Sequence, residues 1–493
     1  MSWSQYLPQD RIKWTGGYWT HPIWPSEPDV AVIKDIVASV LPEKEIDFSV
    51  QFLADGARHK VYDVSHSSWS KTYLFRVAIP LDPRLKTESE MATLVFLGQR
   101  TTIPVPKPIA WSSSAEGKLG YEWALVEKIP GVELGEVWRK MPWEKKIEIT
   151  ETIAEFLVQL WAPNMRLAKI GSLYLGHAEF SDDHILEHKK DDNEDDRLDS
   201  CPAKKTDPKN LGKDKFTIGS AVDSAFFSDR RRYLTTNRGP FSSCHDWLDA
   251  LIHLEQEMIR TAKVLLESKE DLTPEHQAED WDDLVDEIGV DEDDFEKEYD
   301  DMVALCHKYK EILPLVFPLQ EAPYEDKLSC VLQHYDLRDA NILVDPETFE
   351  ITGIIDWEQT YSVPDWYGID YPMFINTDEP YDEGEPPVPT TYDEDSPDYN
   401  AVLVGNRDRW DAKQLREHFD HAVQKLMGAK DWRPAAAQNR LKELFIEGTA
   451  NLTDPWCHAK YNMKCILEAL KISETAAFNS ERSDQIDTEL DGS

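Results

Sequence analysis

The chain has 493 residues, of which 41% are hydrophobic, 11% aromatic and 30% charged, with 94 acidic against 53 basic side chains and a net charge of −41. That charge argues against a nucleic-acid or anionic-membrane partner, because phosphates would be repelled. Length and aromatic content allow a large packed core and two or three domain-sized units.

The N-terminal "MSWSQYLPQDRIKW" has neither the basic region nor the apolar core of a signal peptide. The apolar stretch near residues 312–319 is short and broken by prolines, so no membrane span is expected and a cytoplasmic protein is. The six cysteines (Cys201, Cys244, Cys306, Cys330, Cys457, Cys465) include no CxxC pair, which suits reduced thiols better than a zinc site.

After an N-terminal extension over residues 1–44, residues 47–80 read as strands separated by turns: "DFSVQFL", "KVYDV" and "TYLFRVAIP". "LKTESEMATLVFLGQR" (85–100) follows with helical spacing, and "IPVPKPIAW" and "GYEWALVEKIPG" resume strand character. This order predicts a small, mostly antiparallel lobe with one helix over residues 45–130. From residue 131 to 471 the pattern turns helical. "EKKIEITETIAEFLVQLWA" places Ile153, Phe156, Leu157, Leu160 and Trp161 on one face, and further helices are expected over 245–269, 302–312, 412–427, 433–447 and 456–471. A hairpin near 341–355 is the clearest strand pair of this half, so the class expected is α+β and two-lobed.

Three stretches interrupt the plan. Residues 181–215 are polar, residues 271–301 carry 16 acids against one lysine, and residues 377–398 have nine acids and five prolines. The first and third read as disordered or loop insertions. The second also holds Trp281, Leu284, Val285, Ile288, Phe295 and Tyr299, which fits an acidic, partly helical surface element. The tail over 472–493 reads as disordered.

Chemistry concentrates in "LQHYDLRDANILVDPETFEITGIIDW" (332–357). "NILV" and "EITGIID" are apolar runs joined by the turn-forming "DPETF". An antiparallel hairpin brings Asn341 and Asp356 to neighbouring strands, ~5 Å apart, and Asp336 lies in the turn entering the same end. Three oxygen-bearing side chains converge there. Magnesium prefers oxygen ligands and keeps one or two from protein beside phosphates and waters. The stretch therefore suits phosphoryl transfer, with Asn341 and Asp356 as metal ligands and Asp336 as the acceptor of the substrate hydroxyl proton. His334 is expected to brace the loop, and Asp339 and Asp345 to be solvated or turn residues.

"HYDLRDANILV…IIDW" resembles the catalytic segment of the aminoglycoside phosphotransferase and choline kinase group, which shares the protein-kinase fold. "KTESEMATLVFL", "IPVPKPIAW", "LGYEWALVEKIPG", "IGSLY", "RGPFSSCHDWL" and "YPMF" resemble its large fungal branch. The resemblance implies ATP and Mg2+ as cofactors and a small-molecule hydroxyl acceptor, which the acidic loops would favour as a cationic or amine-bearing compound. It makes Asp336 the catalytic aspartate, Asn341 and Asp356 the metal residues, and Glu127 to Ile129 the hinge that hydrogen-bonds adenine. Gly56 stands in the phosphate-covering loop and Arg76 in place of the phosphate-binding lysine, with Glu90 as its acidic partner and Glu88 as the alternative. Two departures stand out: Tyr335 replaces a common glycine, and "VPDWYGIDYPMF" replaces a Gly-Asp-Pro stretch, leaving Asp365 and Asp370 as bracing, substrate-contacting or plain surface acids. A kinase with an unknown acceptor is the leading reading. A pseudokinase that binds nucleotide or a partner without turnover is the alternative, favoured by Arg76 and the poor phosphate loop. A protein kinase is disfavoured, since no Asp-Phe-Gly…Ala-Pro-Glu activation segment follows Asp356.

Overall fold

The computed structural model describes residues 12, 22–41, 48–56, 58–176, 204–205, 216–267, 292–318, 328–376, 383–429, 431–433, 436–453 and 456–471. The chain forms two compact units, one from residues 26–222 and 329–434, the other from 1–25, 223–328 and 435–493.

The first unit carries every candidate site residue. Helix α1 (Val30–Val40) opens it, capped by Asp29, whose carboxylate accepts from the Ala31 N–H at 2.8 Å. Strands β1 (Ser49–Asp55), β2 (His59–Ser65) and β3 (Tyr73–Ala78) are followed by α2 (Leu85–Arg100), β4 (Pro108–Ser112) and β5 (Glu122–Glu127). With β8 (Lys204–Lys205; β6 and β7 are given below) the antiparallel sheet runs β1-β2-β3-β5-β4-β8. In β3, Phe75 and Val77 are buried on one face, with Phe75 stacked on Trp123 at 5.2 Å, and alternation sends Leu74, Arg76 and Ala78 to the other. Helix α2 is buried from Lys86 to Leu97, so its charged Lys86, Glu88 and Glu90 must find partners inside the fold.

Beyond β5 the chain makes β6 (Val132–Glu133), α3 (Leu134–Trp138) and α4 (Trp143–Trp161). Helix α4 buries Ile149, Ile153, Ala154, Leu160 and Trp161, while Phe156 and Leu157 are half-buried. It packs on a long helix, Ala401–Met427, where Lys146 and Asp411 form a buried ion pair at 2.9 Å. Strands β11 (Ile342–Val344) and β12 (Ile351–Ile354) form the expected hairpin, and β6 adds to its edge.

A four-stranded sheet completes this unit: β10 (Cys330–Gln333), β13 (Tyr361–Pro364), β7 (Gly171–Leu175) and β9 (Phe216–Gly219), in the order β10-β13-β7-β9. The sequence reading of a half with one clear strand pair omits this sheet. Its strands are four or five residues long, and β10, β13 and β7 are buried almost throughout. Such strands show no polar alternation to betray them.

The second unit is helical, with Cys244–Glu267 packed on Glu292–Val316 and Ala436–Ala450 packed on Trp456–Ala469. Arg231 makes two bonds to Glu255, at 2.7 and 2.9 Å, and a third to Thr453. The acidic stretch over 271–301 therefore ends inside a helix, with Phe295 buried. Trp281, Leu284, Val285 and Ile288 lie outside the described residues, as do 181–203, 206–215, 377–382 and 472–493. Residues 383–398 form a loop without helix or strand, tied by Arg407 to Glu385 at 3.0 Å. The helix expected from residue 412 starts at Ala401, because Asn400 caps it, accepting from the Leu403 N–H at 3.1 Å. Among the described residues, no helix is long and apolar enough to cross a membrane.

Candidate active site

The hairpin register fixes the geometry of its open end. Ile342 faces Ile354, and the Asn341 carbonyl accepts from the Ile355 N–H at 3.0 Å, so the ladder carries Asp356 to the side of Asn341. Asp336 is tied to the same point. The Asn341 side-chain amide donates to the Asp336 carbonyl at 2.8 Å and to its carboxylate at 3.1 Å. Arg338 Nε donates to that carboxylate at 2.9 Å. The Asp336 side chain keeps 34% of its exposure, enough to meet a ligand.

His334 holds this loop from beneath. Its Nδ1 accepts from the Asp336 N–H at 3.2 Å, so its Nε2 carries the proton and donates to the Ile355 carbonyl at 2.9 Å. The ring packs on Trp357 at 4.6 Å, and burial lowers its pKa to about 4, which keeps it neutral. Bracing is thus its geometry. Asp345 is a turn residue, accepting from the Glu347 and Thr348 N–H groups at 2.9 and 2.8 Å. Asp356 sits with φ at +60°. Burial, reinforced by the charge of Glu358 and opposed by Arg76, raises its carboxyl to about 7.

Arg76 on β3, within electrostatic reach of Asp356, forms an ion pair with Glu90 on α2. Burial works against the Arg76 charge, but Glu90, Asp356 and Glu358 together hold its pKa above the usual value. Glu88 is engaged elsewhere, accepting from Ser113 Oγ at 2.5 Å and from Trp111 Nε1 at 3.5 Å. Gly56 sits in the β1–β2 turn, its N–H donating to the His59 carbonyl at 2.8 Å. An added Cβ would lie 3.5 Å from that carbonyl, so the turn accepts a side chain here.

Glu127 ends β5 with its N–H on the Lys107 carbonyl at 2.9 Å and its carboxylate on Lys71 at 2.7 Å; the Lys128 N–H is taken by Thr72. Ile129 lies against Gly353 of β12, where an added Cβ would come within 2.4 Å of its side chain. Gly131 follows with φ at +128°, where a Cβ would meet the Val344 carbonyl at 2.7 Å. Glycine here lets the strand after the hinge lie against the hairpin.

A cavity of about 520 Å3 borders the loop that follows Asp336, at Arg338, Asp339 and Ala340. Trp138, Met373, Phe374 and Leu415 give it apolar walls, while Arg139, Arg338 and Arg409 stand beside Glu133, Asp339 and Asp408. Asp365 pairs with Arg166 at 2.9 Å and Asp370 with Arg433 at 2.6 Å, so both acids brace the fold. Tyr335 is 57% exposed.

Sequence reasoning missed four residues that converge near Asp356. Glu358 lies 3.4 Å from Arg58, 3.4 Å from His59 and 3.1 Å from Lys86. Burial alone would raise the Glu358 pKa, yet the charges of Lys86, Arg58 and Arg76 pull it well below the usual carboxylate range. Burial and the neighbouring cations keep His59 neutral. No local signal marked these residues, because Lys86 stands in the polar first turns of α2, Lys86-Thr87-Glu88-Ser89-Glu90.

Residues 49–215 match the model described as the phosphotransferase enzyme family. It contains Gly56, Arg76, Glu90, Glu127 and Ile129, whereas Asp336, Asn341 and Asp356 lie beyond it. A subtelomeric hrmA-associated cluster protein of Aspergillus fumigatus is 24% identical over 374 residues, covering 69% of this chain and 64% of that one. The chain thus spans about 64% of the length of that relative. An altered inheritance of mitochondria protein 9 from Meyerozyma guilliermondii, described as mitochondrial, is 29% identical over 149 residues, 29% of this chain and 23% of that one. Among solved structures, an ethanolamine kinase of Plasmodium vivax aligns over 90% of this chain and 89% of its own, with 13% identity and a TM-score of 0.34. An aminoglycoside-3'-phosphotransferase of type VIII aligns over 86% and 98%, with 14% identity and a TM-score of 0.36. The chain is α+β, and its N-terminal part over residues 49–215 is similar to the phosphotransferase enzyme family.

Proposed function

We propose that the chain transfers the γ-phosphate of Mg2+-bound ATP to a hydroxyl of a small molecule, with Asp336 taking the hydroxyl proton. The observation that carries this reading is the joint tether of Asp336 and Asn341 at the end of the hairpin that delivers Asp356. Asn341 commits its amide N–H to Asp336, which leaves its amide oxygen for a cation. Asp356 adds a carboxylate whose pKa of about 7 reflects burial near Glu358, a cost that a bound cation would relieve. These oxygen donors fit magnesium, which neutralises developing phosphate charge when bound.

Residues 45–130 then serve as the nucleotide-binding lobe, with Gly56 in the loop above the phosphates. Arg76 clamps the phosphates with its planar fork, held in place by Glu90. The hinge from Glu127 to Ile129 meets adenine through the Glu127 carbonyl and the Ile129 N–H, since the Glu127 and Lys128 N–H groups are spent on Lys107 and Thr72. The acceptor approaches from the cavity beside Arg338 and Asp339. As the acceptor oxygen bonds to the γ-phosphorus, the bond from that phosphorus to the β-phosphate oxygen breaks. The hydroxyl proton goes to Asp336. Three arginines balance three acids in that cavity, and its walls are aromatic and aliphatic. An amphipathic alcohol of modest charge fits it better than a polycation.

The test is ADP release by the purified chain with Mg-ATP and a panel of hydroxyl compounds. Asp336→Asn should lower turnover by ~10²-fold or more while nucleotide binding persists. Equal turnover by both proteins would sink the assignment of Asp336. Nucleotide binding with no turnover on any acceptor would favour the non-catalytic alternative, to which Arg76 in place of lysine already lends some support.

A further inference from the structure

The charge gathered on Glu358 exceeds what the proposed reaction uses. Its side chain is 9% exposed, and Arg58 Nη1, His59 Nδ1 and Lys86 Nζ approach it from the β1–β2 turn and the first turn of α2. Lys86, 3% exposed, also lies 3.1 Å from His59 Nε2, and Arg76 Nη2 lies 3.4 Å from His59 Nδ1. Donor atoms of His59, Glu90 and Glu358 fall within 4.8 Å of one another, a spacing that a metal ion could use. An ion there would face Arg58, Arg76 and Lys86 at close range, and three fixed positive charges oppose it. The same three suit an anion with several oxygens. One anion already sits among them, and it is Glu358.

We infer that Glu358 is an internal stand-in for polyphosphate: its carboxylate holds Arg58 and Lys86 where they receive the phosphate chain, and it is exchanged for that chain on binding. The inference rests on the reading of this cleft as a nucleotide site. It adds Arg58 and Lys86 to the phosphate-binding set and makes Glu358 a competitor for them. The arrangement also explains how a turn with a single glycine covers phosphates. Arg58 reaches from the turn with a guanidinium where a glycine-rich loop would offer backbone N–H groups. Exchange of one anion for another keeps the half-buried Arg58 and the buried Lys86 paired, which avoids leaving the Lys86 charge uncompensated.

Calorimetric titration of the full chain with tripolyphosphate, and separately with Mg-ATP, tests this in wild type, Glu358→Gln and Lys86→Met. Freeing the cations from their internal partner should tighten tripolyphosphate binding in Glu358→Gln by about tenfold. The same variant should melt lower than wild type when unliganded and recover with tripolyphosphate. Lys86→Met should bind it about tenfold more weakly than wild type, and this arm stands even if Glu358→Gln does not fold. Binding by Glu358→Gln that is unchanged or weaker would overturn the exchange, as would unchanged binding by Lys86→Met. If wild type binds Mg-ATP and Glu358→Gln gains nothing, the exchange alone fails. If Glu358→Gln gains tripolyphosphate affinity while no variant binds Mg-ATP, the anion site stands and the nucleotide reading falls.

Discussion

Replacing Glu90 with glutamine removes one charge from a pair that ties α2 to β3. Glu90 keeps 4% of its side-chain exposure and Arg76 15%, so water cannot restore what is lost. Breaking a buried pair by removing one partner costs ~3–5 kcal/mol. Asp356 and Glu358 still attract the guanidinium, and His59 Nδ1 remains 3.4 Å from it, which argues for the lower end, ~3 kcal/mol. At ~2–4 °C per kcal/mol for a domain of a few hundred residues, the melting temperature should fall by ~6–12 °C. Thermal melts followed by circular dichroism measure this, and a cycle with Arg76→Met and the double variant isolates the pair. The double variant should be less destabilised than the two single losses combined, since neither charge is then left alone. A single-variant loss below ~1 kcal/mol, as at an exposed ion pair, or a strictly additive cycle would refute the claim that the pair is a buried, coupled element.

Other positions give independent checks. Gly131→Ala should destabilise by ~2 kcal/mol or more, because the φ of +128° is unfavourable for a side chain and its Cβ would lie 2.7 Å from the Val344 carbonyl; denaturant unfolding reads this, and a neutral result would place the strand after the hinge elsewhere. His334 has its folded pKa lowered to about 4 from 6.5, so the unfolded chain binds the extra proton between those values. Stability should therefore be fully present above pH ~6.5 and fall by up to ~3 kcal/mol as pH drops toward ~4. His334→Gln should flatten that part of the pH profile; an unaltered slope would assign it to other groups.

Much of the site could be read from the sequence because it is local. Asn341 and Asp356 meet through one hairpin whose two apolar runs and Asp-Pro turn are visible as text, and Asp336 is five residues from Asn341. The order of strands around α2 was equally legible, since β2 alternates cleanly and β3 sets Phe75 and Val77 on one buried face. What could not be read depends on distant pairing. Spacing left Glu88 and Glu90 equivalent half a turn apart, and only the packing of α2 sends Glu88 to Ser113 and Trp111 and Glu90 to Arg76. Glu358 lies 272 positions from Lys86 and 300 from Arg58, and no local pattern encodes such a contact. The sheet of β10, β13, β7 and β9 escaped notice for a related reason: three of its strands are short and buried on both faces.

The central claim is that Asp356 holds a metal-bound nucleotide, and a thermal-shift comparison of wild type with Asp356→Ala tests it most directly. Mg-ATP at 100 times its Kd should add ~2.7 kcal/mol of stability to wild type. The gain should require magnesium and vanish in Asp356→Ala. A rise of equal size in both proteins, or none in wild type with any nucleotide, would contradict the account.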